Sequence, residues 1–171
     1  PVDRAIRKKA ASTLDSLEDP IDADERYQRG INYSFGWDGL IEDKSEAVRW
    51  YQKAAILGHA KAKYQLALAY QWGRGIEENK YSASRYLHEA AEQGEEQAQI
   101  GLGDAYASGW DYALSEDQSE AVKWWRMAAE KGNAEAQYKL GHAYQKGEGV
   151  TRSIGNAITW YNKSAEQGHV Q

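Results

Sequence analysis

The sequence predicts an all-α protein made of four stacked helix pairs, and three observations carry that reading: a nine-residue block that occurs four times, a second block that alternates with it, and N-cap residues and glycines at matching points between them. The block Trp50-Tyr51-Gln52-Lys53-Ala54-Ala55-Ile56-Leu57-Gly58 returns at 86–94, 124–132 and 160–168, its closing glycines 36, 38 and 36 residues apart. Ala47, Ala83, Ala121 and Ala157 precede it at the same spacing. The second block is Ala62-x3-Leu66-Ala67-x2-Tyr70-x2-Gly73. It returns around Leu102-Gly103 and Leu140-Gly141. A worn first copy keeps Tyr27, Gly30, Tyr33 and Gly36 but carries Glu25 and Arg29 where the others have alanine and leucine.

Each element has a local reason. Val2, Ile6, Ala10, Leu14 and Leu17 form an apolar stripe, which predicts a capping helix over 3–17 closed by Pro20. In the second block, Ala62, Leu66 and Tyr70 stand at i, i+4 and i+8, one face of a 3.6-residue period. The small residue at 67, 103 or 141 lets a neighbouring helix come close. In the first block Ala83, Leu87 and Ala90 make an i, i+4, i+7 stripe. Asp43, Asn79, Asp117 and Ser153 precede these helices as N-caps, because a short oxygen-bearing side chain accepts from the free first-turn N–H groups. Glu46 and Glu120 follow two of them at capping-box distance. The closing glycines suit a left-handed residue just past a helix end. The expected organisation is a cap and linker over 1–21, then a repeat array over 22–171, with repeats at about 22–58, 59–94, 95–132 and 133–168.

Composition narrows the function. The 171 residues include no cysteine, so disulfides, thiolate zinc sites and a cysteine nucleophile are ruled out. Lys and Arg total 21 against 26 Asp and Glu, and no basic run appears, so nucleic acid is not an expected partner. No apolar run reaches the roughly 20 residues of a membrane span, so no direct membrane insertion is expected. His88-Glu89-x2-Glu92 lacks the second histidine of a zinc-protease helix, and Gly101-x-Gly103 lies inside a helix rather than after a strand. His59 and His169 are equivalent repeat positions, and His142 has no metal-spaced partner. No catalytic residue, metal or cofactor is expected. The sequons at Asn32 and Asn162 fall in predicted helices.

Aligned, the two blocks resemble the Sel1-like repeat, a relative of the tetratricopeptide repeat with the rough pattern A-x-A-x3-LG-x2-Y-x2-G-x-GV, then A, then WY-x-KAAEQG. The last copy nearly spells it: Ala134-Glu135-Ala136, Leu140-Gly141, Tyr144, Gly147-Glu148-Gly149-Val150, Ala157 and Trp160-Tyr161-Asn162-Lys163-Ser164-Ala165-Glu166-Gln167-Gly168. The resemblance covers about residues 22–168. The first copy lacks the A-x-A start and G-x-G turn, and the third inserts two residues within Gly109-Trp110-Asp111-Tyr112-Ala113. His169-Val170-Gln171 echoes His59-Ala60-Lys61, which leads us to expect a further repeat or a C-terminal cap.

The resemblance implies a right-handed α/α solenoid whose first helices line a concave groove. By analogy with the related repeat, groove positions include Tyr27, Ile31 and Phe35 in the first copy, and Lys61, Tyr64, Leu68, Gln71 and Trp72 in the second. They continue with Ile100 and Asp104 in the third, and Tyr138, His142 and Gln145 in the fourth. These positions differ between copies while the core positions do not. Trp50, Tyr86, Trp124 and Trp160 recur in register and are read as frame. Trp37, Trp110 and Tyr112 stand in the two irregular turns and would extend a binding edge. The implied role is a protein-binding scaffold or adaptor, holding a peptide or folded partner in the groove. Two other roles stay open at this point: an inhibitor or immunity partner of one enzyme, and an envelope module whose aromatics touch a glycan. An exposed face on a last helix would also favour end-to-end self-association. The resemblance fits bacterial signalling, assembly or envelope settings as much as eukaryotic quality-control complexes, and we expect a bacterial periplasmic or exported context over a cytoplasmic one.

Overall fold

The computed structural model describes residues 22–110 and 113–168. Among them are eight α-helices: α1 (Ala23–Phe35), α2 (Lys44–Ile56), α3 (Ala60–Trp72), α4 (Lys80–Glu92), α5 (Glu96–Ser108), α6 (Gln118–Glu130), α7 (Ala134–Lys146) and α8 (Ile154–Glu166). The odd-numbered helices open each repeat and are called A helices; the even-numbered ones are B helices. The expected cap over 3–17, with its stripe from Val2 to Leu17, lies outside the described residues, as do Tyr112 and residues 169–171. The chain divides into two compact units between Tyr86 and Leu87, inside α4 rather than at a repeat boundary.

The B helices begin where the sequence places them. Asp43 accepts from the Ser45 and Glu46 N–H groups, and Asp117 from those of Ser119 and Glu120. Asn79 accepts from Ser82 N–H and Ser153 from Asn156 N–H. Glu46 and Glu120 also turn forward along their own helices, to Arg49 and Lys123. The residues closing the B helices adopt the left-handed conformation, with φ of 89° at Gly58 and 102° at Gly132. Three of the A helices are capped by residues the pattern did not single out, Asp22, Asn133 and, less usually, the Nδ1 of His59, which accepts from Ala62 N–H at 3.0 Å, while Glu95 at the start of α5 makes no side-chain cap.

Within the first unit, Val48, Trp50, Tyr51 and Ala54 of α2 join Tyr33 of α1 and Ala62, Leu66 and Ala69 of α3 in one buried cluster. Within the second, Val122, Trp125, Ala128 and Ala129 of α6 join Ile100 of α5 and Ala136, Leu140 and Ala143 of α7.

Within three of the repeats the two helices meet ring against backbone. A Cβ built on Gly30 would stand 2.4 Å from the Tyr51 ring, one on Gly103 2.4 Å from Trp125, and one on Gly141 2.8 Å from Tyr161. Glycine is therefore required in these helix interiors for the space it leaves, despite costing about 1 kcal/mol in helix propensity. The second repeat carries Ala67 in the glycine's place and Leu87 in the ring's place, a larger small residue accompanied by a smaller large one. The G-x-G turns meet a different surface. A Cβ on Gly149 would lie 2.0 Å from the Gln118 carbonyl oxygen, so this turn, with φ of +68°, seats on the first residue of α6.

Two fully covered glutamines tie neighbouring repeats of the second unit. Gln99 Nε2 donates to the Ala91 carbonyl at 3.1 Å, and Gln137 Nε2 to the Ala129 carbonyl at 3.1 Å. Their side-chain oxygens accept from Lys131 Nζ and Gln167 Nε2, the residues just before two closing glycines. Each buried amide is thus satisfied at both ends, which burial demands.

Gly103→Ala should lower stability by about 1–3 kcal/mol in chemical denaturation. Combined with Trp125→Leu, the pairing found at 67 and 87, the loss should be smaller than the sum of the two single changes. Gln137→Leu should cost about 1–3 kcal/mol, because it removes the side-chain donor to the Ala129 carbonyl and the nearer of the two acceptors of Gln167 Nε2.

Candidate protein-binding surface

The positions expected to face a groove lie on the A helices, and the two units present them differently. In the first unit α1 carries Tyr27, Ile31 and Phe35, and α3 carries Tyr64, Leu68 and Trp72. Residues four apart stack along one side of a helix, so each trio is a stripe. The two stripes follow the same gradient. Tyr27, Ile31, Tyr64 and Leu68 are half-buried, while Phe35 and Trp72 at the C-terminal ends are 55% and 60% exposed. Lys61 is exposed and Gln71 half-buried beside the second stripe.

The N-terminal end of this surface is stiffened by stacking. Tyr27 lies 4.5 Å from the His59 ring at 23° and 5.9 Å from Tyr51. His59 holds the start of α3 through Nδ1, and its Nε2 is 3.1 Å from Asp24. The histidine read from sequence as a plain repeat position is thus a cap and a stacking platform. At the other end, Trp37 is exposed and stacks on Phe35 at 4.8 Å, extending the first stripe into the turn. Lys44 Nζ sits 5.3 Å from the Phe35 ring and is held by the Ser34 carbonyl and Glu42.

The second unit corrects one expectation outright. Ile100 is 3% exposed and belongs to the core cluster with Trp125 and Leu140, so it offers nothing to a partner. Its register is half-buried in the neighbouring copies. A tyrosine there reaches past the core, as Tyr138 does to lie 5.4 Å from Tyr161, whereas a four-carbon branched chain ends beneath it. Asp104 is half-buried and committed: Oδ1 accepts from the Trp125 indole N–H at 3.0 Å, and Lys139 Nζ lies 3.0 Å from the same carboxylate. Gln145 accepts from the Tyr161 hydroxyl at 2.8 Å. His142 is exposed, 3.7 Å from Glu148. Trp110 is half-buried, its backbone N–H bonded to the Leu114 carbonyl at 2.8 Å. The outward positions of α5 and α7 are therefore polar or tied down.

Trp50 is buried and Tyr86, Trp124 and Trp160 are half-buried, in keeping with a frame role. The sequence pattern did not reveal that the following position, Tyr51, Trp125 and Tyr161, is the one seated on glycine. Its signal is the pairing of large and small residues across two blocks. Among the described residues no group of three or more His, Asp or Glu is placed to hold a metal ion, and no helix is long and apolar enough to cross a membrane.

A family model described as the Sel1 repeat matches residues 26–59, 60–95, 96–133 and 134–169. A protective antigen of uropathogenic Escherichia coli displaying an SLR fold is 35% identical with a TM-score of 0.82, over 95% of this chain and 33% of the antigen. A Sel1 repeat protein from Oxalobacter formigenes is 30% identical with a TM-score of 0.82, over 98% of this chain and 69% of that protein. Cysteine-rich protein B of Helicobacter pylori shares the fold at 24% identity and a TM-score of 0.58, over 74% of this chain and 90% of its own. The fold is thus that of Sel1-like helix-pair solenoids, and the chain spans about a third of the length of the Escherichia coli relative.

Tyr51 gives this surface a measurable property. Burial pushes its phenol up to about 12, opposed by a hydrogen bond with Ser34 and reinforced by Tyr27. The unfolded chain ionises this phenol near 10 and the folded one does not, so stability is complete below pH 10 and falls as pH rises from 10 through about 12. Urea unfolding at pH 9, 10.5 and 11.5 should show that decline, and Tyr51→Phe should flatten it.

Proposed function

Because the chain belongs to the Sel1 repeat family, we propose that it is a protein-binding module whose anchor surface is the pair of aromatic-ended stripes on α1 and α3. Sel1 repeat proteins are generally non-catalytic scaffolds that mediate protein–protein interaction. The observation that carries the finer reading is the recurrence of one gradient in two successive repeats: Tyr27–Ile31–Phe35 and Tyr64–Leu68–Trp72 each pass from half-buried to largely exposed aromatic. Neither Phe35 nor Trp72 is needed by the repeat, since Ser108 and Lys146 occupy their places in the other copies. Large apolar rings that the fold does not require, placed twice in the same register, are the residue type that dominates binding hot spots.

The partner surface that fits is an apolar one, offering aliphatic or aromatic side chains to the rings and leaving Lys61 and Gln71 at a polar rim. The outward positions of α5 and α7 offer charge and hydrogen bonding instead. Asp104, Lys139, His142 and Glu148 would bias orientation and partner choice more than affinity.

Affinity capture from native extract, with the intact chain and a Tyr64→Ala/Trp72→Ala variant as baits, tests this reading. One dominant protein should be retained by the first bait and lost with the second. Each substitution should weaken binding by more than about 1 kcal/mol while leaving the helical melting curve in place. Unchanged affinity would reject the anchor assignment. Retention of cell-wall polymer in place of protein would overturn the protein-binding reading.

A further inference from the structure

His59 opens α3 with both ring nitrogens engaged, and the two bonds fix its protonation. Nδ1 accepts from the Ala62 N–H at 3.0 Å, so it carries no proton. Nε2 lies 3.1 Å from the Asp24 carboxylate, which when ionised can only accept, so it carries one. The capping histidine is therefore the neutral Nε2–H tautomer. Its side chain is 12% exposed, which shields both bonds from water.

The Ala62 N–H has no acceptor within its own helix. It is one of the first-turn donors that an α-helix leaves over, and the ladder of α3 starts one residue later, with Lys63 N–H on the His59 carbonyl. Ala62 is buried and belongs to the first unit's core with Leu66 and Tyr51. Losing the Nδ1 acceptor would orphan a buried donor. The equivalent residue of the fourth repeat is Asn133, whose side-chain oxygen holds the Ala136 N–H at 3.1 Å. An amide takes up no proton near neutral pH, and an imidazole does. The same cap is permanent in one unit and titratable in the other.

A proton on Nδ1 would turn the acceptor into a donor aimed at another donor. The groups around the ring decide where the imidazolium goes. On the α3 side stand the positive end of the helix dipole and the cations Lys61 and Lys63, with no acidic residue in the first turn. From α2, the neutral phenol of Tyr51 lies 5.9 Å from Tyr27, and the last-turn cation Lys53 sits over Trp50. On the α1 side are the Asp24 carboxylate and the Tyr27 ring, stacked on the imidazole at 4.5 Å. Both contacts strengthen when the imidazole is charged. Glu25 and Arg26, next along α1, are of opposite sign and offset each other. So α3 repels the imidazolium and α1 holds it.

We propose that His59 is a pH-operated latch: neutral, it joins α3 to α1, and protonated, it stays with Asp24 and Tyr27 and releases the first turn of α3. The release comes as pH falls through the range in which imidazoles titrate, about 5 to 8. Tyr27 opens the α1 stripe and α3 carries the other, so the latch governs the junction between the two. That consequence rests on the proposed function; the latch itself does not.

The test is amide hydrogen exchange followed by NMR on the intact chain, reading Ala62 against Ala136 at each pH so that the intrinsic pH dependence of exchange cancels. Between about pH 8 and about pH 5, the protection of Ala62 relative to Ala136 should fall about fivefold, the factor that a side-chain N-cap worth about 1 kcal/mol supplies. His59→Asn, which copies Asn133, should keep Ala62 protected and abolish the fall. Asp24→Asn, which removes the carboxylate that favours imidazolium, should move the fall to lower pH. The imidazole nitrogen signals of His59 should show a bare Nδ1 before the fall and two protonated nitrogens after it. A level ratio in the original chain, an equal fall in the His59→Asn variant, an unmoved fall in Asp24→Asn, or a proton on Nδ1 before the fall would each overturn the proposal.

Discussion

The spacing of the two helices in a repeat is set where an aromatic ring of the B helix lies against the bare backbone of the A helix, at Gly30 with Tyr51, Gly103 with Trp125 and Gly141 with Tyr161. A methyl group at any of these glycines would stand inside the ring's contact distance. Much else follows from that seat. The small residues around it, Ala54, Ala62, Ala128 and Ala136, are buried because the helices are close, and they must be small for the same reason. The ring's polar edge then needs a partner, and in the second unit Asp104 supplies one to Trp125 while being held by Lys139. In the fourth repeat the Tyr161 hydroxyl reaches Gln145 instead.

Contacts between repeats use a different device. Backbone groups at the ends of B helices would be costly to bury unpaired. Gln99 and Gln137 answer this by donating to the Ala91 and Ala129 carbonyls and accepting from the residue before the closing glycine of their own repeat. The glycine of the G-x-G turn presses on the N-terminus of the preceding B helix, as Gly149 does on Gln118. The frame is thus bound within a repeat by rings and between repeats by amides and turns. That leaves the outward side of the A helices free to vary without disturbing either.

That freedom is used unevenly. α1 and α3 spend it on aromatic and aliphatic stripes ending in Phe35 and Trp72, whereas α5 and α7 spend it on Asp104, Ser108, His142 and Lys146. An apolar surface supplies affinity through burial, and a polar one supplies selectivity through pairing.

The sequence by itself determined the helices, the caps of the B helices and the order of the elements. These depend on local chemistry and on a period read from one chain: Asp43 caps α2 and Asp117 caps α6 as their positions require, and the small residues at 103 and 141 mark close approach. Copies differing at the same register also indicated which positions are free of the frame. Only the tertiary structure decided which free positions reach solvent, because that depends on the length of the side chain and on what stands beside it. Ile100 and Tyr138 share a register, yet the shorter chain is sealed in the core and the longer one emerges beside Tyr161. Asp104 is exposed by periodicity but spent on an indole and an ammonium from α6 and α7. His59 became a cap because its Nδ1 lies within reach of the Ala62 N–H and its ring fits beneath Tyr27, and both depend on contacts made only when the helices pack.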